Sequence, residues 1–164
     1  MKITTQPSTE NISTLLDLLR GAPARLDALA FGQGESALIQ PPGEGQRSFR
    51  EILTHLLNSE ARLTEAVYQI LLLKEPNLPQ IHPERDWGKL MSYQKLGLAD
   101  LLGYFKLRRL MLLSVLEKLS TQEWLRTGRE AGKKRQESVY WKTRTLVLHE
   151  IQHLSELEER IGEC

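Results

Sequence analysis

The chain has a single cysteine, Cys164, and it is the last residue. No intrachain disulfide can form, and a chain end does not hold a nucleophilic thiol in register, so neither a disulfide scaffold nor cysteine catalysis is expected. A surplus of charge is equally missing. Lys and Arg number 22 against 21 Asp and Glu, a formal net charge of +1. That balance supplies no field for nucleic acid or an anionic membrane surface. No apolar run approaches the roughly 18 residues that span a bilayer. The opening MKITTQPSTENIS has one lysine and no apolar core, so it does not read as a secretory signal. These absences predict a cytoplasmic protein whose partners are neither nucleic acid nor membrane.

Strand periodicity is also absent: no convincing apolar–polar alternation and no internal repeat can be found. At 164 residues the chain suits one domain, 1–164, with a sizeable core. What is present is helical spacing. From about Pro7 to Ala30, Ile12, Leu15, Leu16, Leu19, Leu26 and Leu29 share a face, with Pro23 expected to kink or interrupt it. Gly32 to Gln46, rich in Gly and Pro, reads as a loop. Ser48-Phe49-Arg50-Glu51 is a capping box, opening a helix that runs to about Lys74 over Ile52, Leu53, Leu56, Leu57, Leu63, Val67 and Ile70. At 1.5 Å per residue it is roughly 40 Å long, a length suited to a bundle.

Pro76, Pro79 and Pro83 end that helix and impose a long connection, which allows the next helix to run parallel to it. The third helix is expected from about Ser92 to Leu119. Ser120 to Ser138 reads as a polar loop with Lys133-Lys134-Arg135 solvated, and Val139 to Ile161 as the last helix, with Val147, Ile151, Leu154, Leu157 and Ile161 inside. The expected fold is all-α: a four-helix bundle with a long crossover between helices two and three.

The chemistry concentrates in His149-Glu150-Ile151-Gln152-His153. Histidines four apart lie about 40° apart on a helical wheel, so both imidazoles can reach one divalent cation. His55, in the second turn of the capped helix, faces or flanks the core, where an unpaired imidazole is costly unless it is hydrogen-bonded or ligating. His82, in a Pro-flanked loop, reads as structural.

The same string fits the zinc-peptidase pattern H-E-x-x-H, with Glu150 as base. That reading needs a third ligand downstream. After His153 come only Leu154-Ser155-Glu156-Leu157-Glu158-Glu159-Arg160-Ile161-Gly162-Glu163-Cys164. Glu156, Glu158 and Glu159 continue the same helix, and no strand is evident to hold a peptide. Peptidase activity is disfavoured, and Glu150 is expected in a salt bridge. Arg108 and Arg109 interrupt a leucine stripe, so one of them should pair with a carboxylate such as Glu60, a role favoured over meeting an anionic group of a substrate. Tyr104, Tyr140 and Trp141 read as core or interface.

The stretch Ser48 to Glu60 and the closing Leu148-His149-Glu150-Ile151-Gln152-His153-Leu154 resemble the DinB/YfiT-like superfamily of metal-binding four-helix bundles. The resemblance covers nearly the whole chain. It departs at Arg47, where members often carry a tryptophan before the cap serine. It implies a three-histidine divalent-metal site on His55, His149 and His153, with water or substrate completing the shell. Three imidazoles suit zinc, nickel, iron or copper alike. The resemblance further implies a small-molecule substrate or thiol, a metal-dependent thiol transferase or hydrolase-type reaction, and a homodimer. The alternative is a non-enzymatic bundle whose cation is structural.

Overall fold

The computed structural model describes residues 3–162, with side chains through residue 160; the expected packing of Ile161 and the character of Cys164 lie outside the described residues. Four long helices carry the fold. α1 (Thr9–Ala30) begins where Ser8 Oγ accepts a hydrogen bond from the Asn11 N–H at 3.2 Å. α3 (Phe49–Leu72) opens on the expected capping box: Ser48 Oγ accepts from the Glu51 N–H, and the Glu51 carboxylate accepts from the Ser48 N–H at 2.7 Å. α5 spans Leu98–Leu116 and α7 spans Val139–Gly162. Between α1 and α3, where a loop was expected, α2 (Glu35–Ile39) adds a turn and a half that buries Leu38.

Paired side chains give the helix directions. Lys106 meets Asp27 and Arg20 meets Glu117, so α5 runs antiparallel to α1. Arg160 donates to the Arg47 carbonyl while His149 meets His55, so α7 runs antiparallel to α3. Arg50 donates to the Leu96 carbonyl and Arg109 lies beside Glu60, so α5 runs parallel to α3. This is the direction that a long crossover permits.

The crossover is itself structured. It contains β1 (Asn77–Leu78), a π-helical turn (Pro83–Gly88), α4 (Lys89–Met91) and a 3-10 turn (Tyr93–Lys95). Ser92, expected to start the third helix, instead takes a left-handed φ of 49°, which breaks the helical path and delays α5 to Leu98.

The expected absence of strands is corrected. After α6 (Thr121–Trp124), β2 (Thr127–Glu130) pairs antiparallel with β3 (Gln136–Ser138), placing Thr127 opposite Ser138. β1 joins the other edge of β2 in parallel. Residues 120–138 are therefore a helical turn and a hairpin, not a loop. No apolar alternation marks these strands because their inward side chains are Glu130 and Glu137. Both close on Lys142 of α7, with Nζ at 2.9 Å and 2.6 Å. Lys133 and Arg135 are exposed, as expected, and also clamp Glu137 at 3.2 Å and 3.0 Å. Burial opposes ionisation of Glu130, yet the ammonium groups of Lys142 and Lys133 and the guanidinium of Arg62 hold its carboxyl at about 2.

The apolar core falls into two clusters, one around Leu15, Leu19, Val67, Ile70, Leu112 and Tyr140, the other around Leu26, Ile52, Leu56, Leu57, Leu101 and Phe105. A charged layer of Glu60, Arg109 and Glu150 lies at the step between them, each at most 3% exposed. Among the described residues no helix is long and apolar enough to cross a membrane.

Candidate metal centre

His55 projects from α3 and His149 and His153 from α7. Their ring centroids form a nearly equilateral triangle, with separations of 4.8, 4.8 and 4.7 Å. One nitrogen from each ring lies within 4.8 Å of the others, and His55 Nε2 is 2.9 Å from His149 Nε2. All three rings are half-buried, sheltered from bulk water without being sealed from it.

Two carboxylates aim the rings. Glu84, from the π-helical turn, places Oε1 2.5 Å from His55 Nδ1, while its Oε2 accepts from Asn58 Nδ2 at 3.2 Å. Glu156, one turn beyond His153, places Oε2 3.1 Å from His153 Nδ1 and is itself paired with Arg160. A carboxylate at Nδ1 keeps the proton there, which leaves each Nε2 lone pair free for the common point. His149 Nδ1 is buried and has no partner among the described residues.

The electrostatics favour the neutral, ligating form. Burial, then the neighbouring imidazoles of His55 and His153, pushes His149 down to about 4. Burial also lowers His55, outweighing the attraction of Glu84. Three imidazole nitrogens around one point fit a divalent cation. Tetrahedral bonds of about 2.1 Å set ligand nitrogens roughly 3.4 Å apart. The 2.9 Å contact and the 4.8 Å limit bracket that spacing.

Glu150 takes no part in the cluster. Its carboxylate is buried against Arg109, with Nη1 donating to Oε2 at 3.1 Å and Nη2 donating to Oε1. The base required by a zinc peptidase is thus tied into the core, and the expected salt bridge is present. Arg109 also approaches Glu60, at 3.5 Å. His82 caps the π-helical turn, its Nδ1 accepting from the Arg85 N–H at 3.2 Å. Tyr140 is buried and donates to the Thr4 carbonyl, while the guanidinium groups of Arg135 and Arg144 stand 4.4 Å and 5.6 Å from the centre of the Trp141 ring.

Sequence reasoning missed Glu84 and the orienting role of Glu156. Glu156 was within reach, since residues three apart on a helix are neighbours. Glu84 lies 29 positions from His55 in the Pro-rich link, and only the folded path brings it there. A cavity of about 340 Å³ opens on His55 and Glu84, with Arg47, Arg50 and Thr54 in its wall. The side chain of Arg47 is exposed, and its charge reaches both His55 and His149.

The chain matches the profile of the DinB superfamily over residues 18–157. Among solved structures it is similar to YfiT from Bacillus subtilis, described as a probable metal-dependent hydrolase with an unusual four-helix bundle topology. The TM-score is 0.80 at 20% identity, over 99% of this chain and 94% of that one. No curated protein sequence matches.

Proposed function

Because this chain belongs to the DinB superfamily, we propose that it is a metal-dependent enzyme acting on a small molecule at a centre held by His55, His149 and His153. The observation that carries this reading is the convergence of three imidazoles, two of them aimed by carboxylates at Nδ1, beside an open cavity. Three neutral nitrogens would leave a divalent cation with an open position, where it would acidify a bound water or thiol.

The surrounding residues favour a thiol as the acidified group. Hydrolysis is helped by a carboxylate free to take a proton from water. Here Glu84 is engaged by His55 and Asn58, Glu156 by His153 and Arg160, and Glu150 by Arg109. A thiol needs no such base once its pKa is lowered. Transfer would then consist of loss of the S–H proton to solvent, formation of a bond from sulfur to an electrophilic carbon and cleavage of that carbon's bond to the leaving group, which departs with its electron pair. Arg47 at the cavity mouth suits a substrate with an anionic group. The likeness to YfiT supports hydrolysis as the second reading.

The test is elemental analysis of protein purified without added metal or chelator, beside the His149→Ala, His153→Ala double variant. Metal in the first and none in the second is the expected result; equal content in both ends the assignment. Metal-loaded protein is then offered small thiols with an aryl halide, and p-nitrophenyl acetate without thiol. Thiol consumption is expected, whereas ester cleavage alone selects the hydrolase. Neither activity, with a large fall in Tm on metal removal, selects a structural cation.

A further inference from the structure

A second cavity, of about 350 Å³, lies on the seam between α3 and α5 and shares no lining residue with the three-histidine centre. Its walls come from Thr64 and Tyr68 of α3, Trp87 and Tyr93 of the crossover, and Tyr104 and Arg108 of α5. The π-helical turn separates the two places: Glu84 faces His55, and Trp87, three residues on, faces this cavity.

Three of these six residues carry a polar atom that is sealed from solvent and has no hydrogen-bond partner among the described residues, namely Thr64 Oγ1, Trp87 Nε1 and Arg108 Nε, while the buried Tyr93 hydroxyl lies against Tyr104. Buried polar groups are normally satisfied, so three failures around one space indicate a missing partner. Tyr93 is only 2% exposed, so the crossover has brought its hydroxyl fully out of water.

The donor inventory sets the partner's chemistry. The indole and guanidinium groups can only donate, and the two hydroxyls can donate as well, so the partner must be rich in acceptors. Arg108 makes it anionic. The guanidinium has one long hydrogen bond, from Nη1 to Tyr104 Oη at 3.4 Å, and stands 5.7 Å from that ring's centre. The buried Glu60, behind the cavity, acts on Arg108 through its charge, while Glu65 at the rim is exposed and accepts from Gln69 Nε2 at 3.1 Å. The rest of the surface is apolar: the rings of Tyr68 and Tyr104, with Leu107 and Met111 at the mouth, 57% and 58% exposed. A volume at the small end of ligand pockets suits a compact body.

We propose that this cavity is a second small-molecule site, which takes a monocarboxylate with an aromatic or short aliphatic body. The carboxylate accepts from Arg108, Trp87 and Tyr93, and the body lies between the tyrosine rings under Leu107 and Met111. The proposal stands apart from the chemistry assigned to the histidines.

The test titrates the full chain with sodium phenylacetate, sodium hexanoate, benzylamine and benzyl alcohol, following tryptophan fluorescence and heat. Saturable binding of phenylacetate, with benzylamine and benzyl alcohol at least about tenfold weaker, is the expected result. Arg108→Gln should weaken phenylacetate about tenfold or more, and Trp87→Phe should remove the fluorescence change while heat is still released. The His149→Ala, His153→Ala variant should bind as the parent does. Absence of saturation into the millimolar range overturns the site, as does equal affinity for benzylamine. Loss of binding in the histidine variant also overturns it, by placing the ligand at the metal centre. Should Arg108→Gln fail to fold, Tyr93→Phe serves instead, with a loss of a few fold expected; unchanged affinity there overturns the proposal.

Discussion

Arg109 donates a hydrogen bond to the main-chain carbonyl of Leu19 at 2.8 Å, and that carbonyl is the one Pro23 leaves without a donor. In an α-helix the N–H of residue 23 would bond to the carbonyl of residue 19, and proline has no N–H. The interior proline was expected to kink or interrupt the first helix, and α1 is not interrupted, running from Thr9 to Ala30. A guanidinium from α5 restores the lost hydrogen bond. The same side chain holds Glu150 of α7 and approaches Glu60 of α3, so one arginine ties all four long helices together in the charged layer.

Replacing Arg109 should therefore be severe, and its cost should depend on Pro23. Arg109→Met leaves Glu150 buried without its cation, at a cost of about 3–5 kcal/mol. Adding Glu150→Met should recover much of that loss. In a Pro23→Ala background the Leu19 carbonyl regains a main-chain donor, and the cost of Arg109→Met should fall by about 1 kcal/mol. Urea unfolding of the four proteins in the Pro23–Arg109 cycle measures the coupling. Strict additivity would show that the arginine does not serve that carbonyl.

Glu60 should make stability fall with rising pH. Burial lifts its carboxyl from the usual 4.5 to about 7, against the pull of Arg109. Between those values the native state keeps a proton that the unfolded chain has released. The contribution is therefore full below 4.5 and is lost as pH rises through about 7. Relative to Glu60→Gln, the parent should lose on the order of 2 kcal/mol between about pH 5 and about pH 8. Denaturant titrations of both proteins at the two pH values decide it, and a constant difference would show that Glu60 ionises in the folded protein as it does in water.

The four long helices and their histidines were legible because both announce themselves locally. Leucine spacing marks a buried helix face, the box at Ser48 marks a start, and His149 and His153 are neighbours on any helix. The features that escaped are those whose partners are distant. Arg109 lies ninety positions from Leu19, so no local pattern shows that Pro23 is rescued. The hairpin buries Glu130 and Glu137 instead of valine or isoleucine, so its inward face reads as polar sequence until Lys142 is placed beneath it. The cavity at Trp87 exists only because the crossover returns to α3.

Glu84 should control metal affinity without being a ligand. Its carboxylate fixes the tautomer of His55, and losing such a partner typically costs about 10–100-fold in affinity. Competition with a chromophoric chelator should show that loss for Glu84→Ala, with His55→Ala losing more. Glu84→Gln should fall between, since an amide oxygen can still accept from Nδ1. An unchanged affinity in Glu84→Ala would mean that His55 is oriented by its own packing.

Lys142 should be as important as a core residue. It is 2% exposed and bridges Glu130 and Glu137. Lys142→Met leaves Glu130 with Arg62 and Lys133, and Glu137 with Lys133 and Arg135. That remaining pairing brings the expected cost to about 2–4 kcal/mol, below that of a fully orphaned buried charge. A change under about 0.5 kcal/mol in urea unfolding would place the ammonium in water.

Gly128 should be the least replaceable residue of the sheet, for reasons of space. A Cβ there would stand 2.9 Å from Ile70 Cγ1 and 3.2 Å from both the Pro76 carbonyl oxygen and Pro76 Cγ. The Pro76 oxygen accepts from the Arg129 N–H at 2.9 Å, and the Leu78 oxygen accepts from the Ala131 N–H at 2.9 Å; these bonds flank the parallel pairing of β1 with β2. Pro76 cannot retreat without giving up the first of them, and Ile70 is fully buried. Gly128→Ala should cost about 1–3 kcal/mol by overpacking. The damage should be local: amide hydrogens of Arg129 and Ala131 should exchange faster than in the parent, while those in the middle of α7 keep their protection. Uniformly faster exchange across the chain would show that the sheet and the bundle unfold together, and that the strands do not form a separate opening unit.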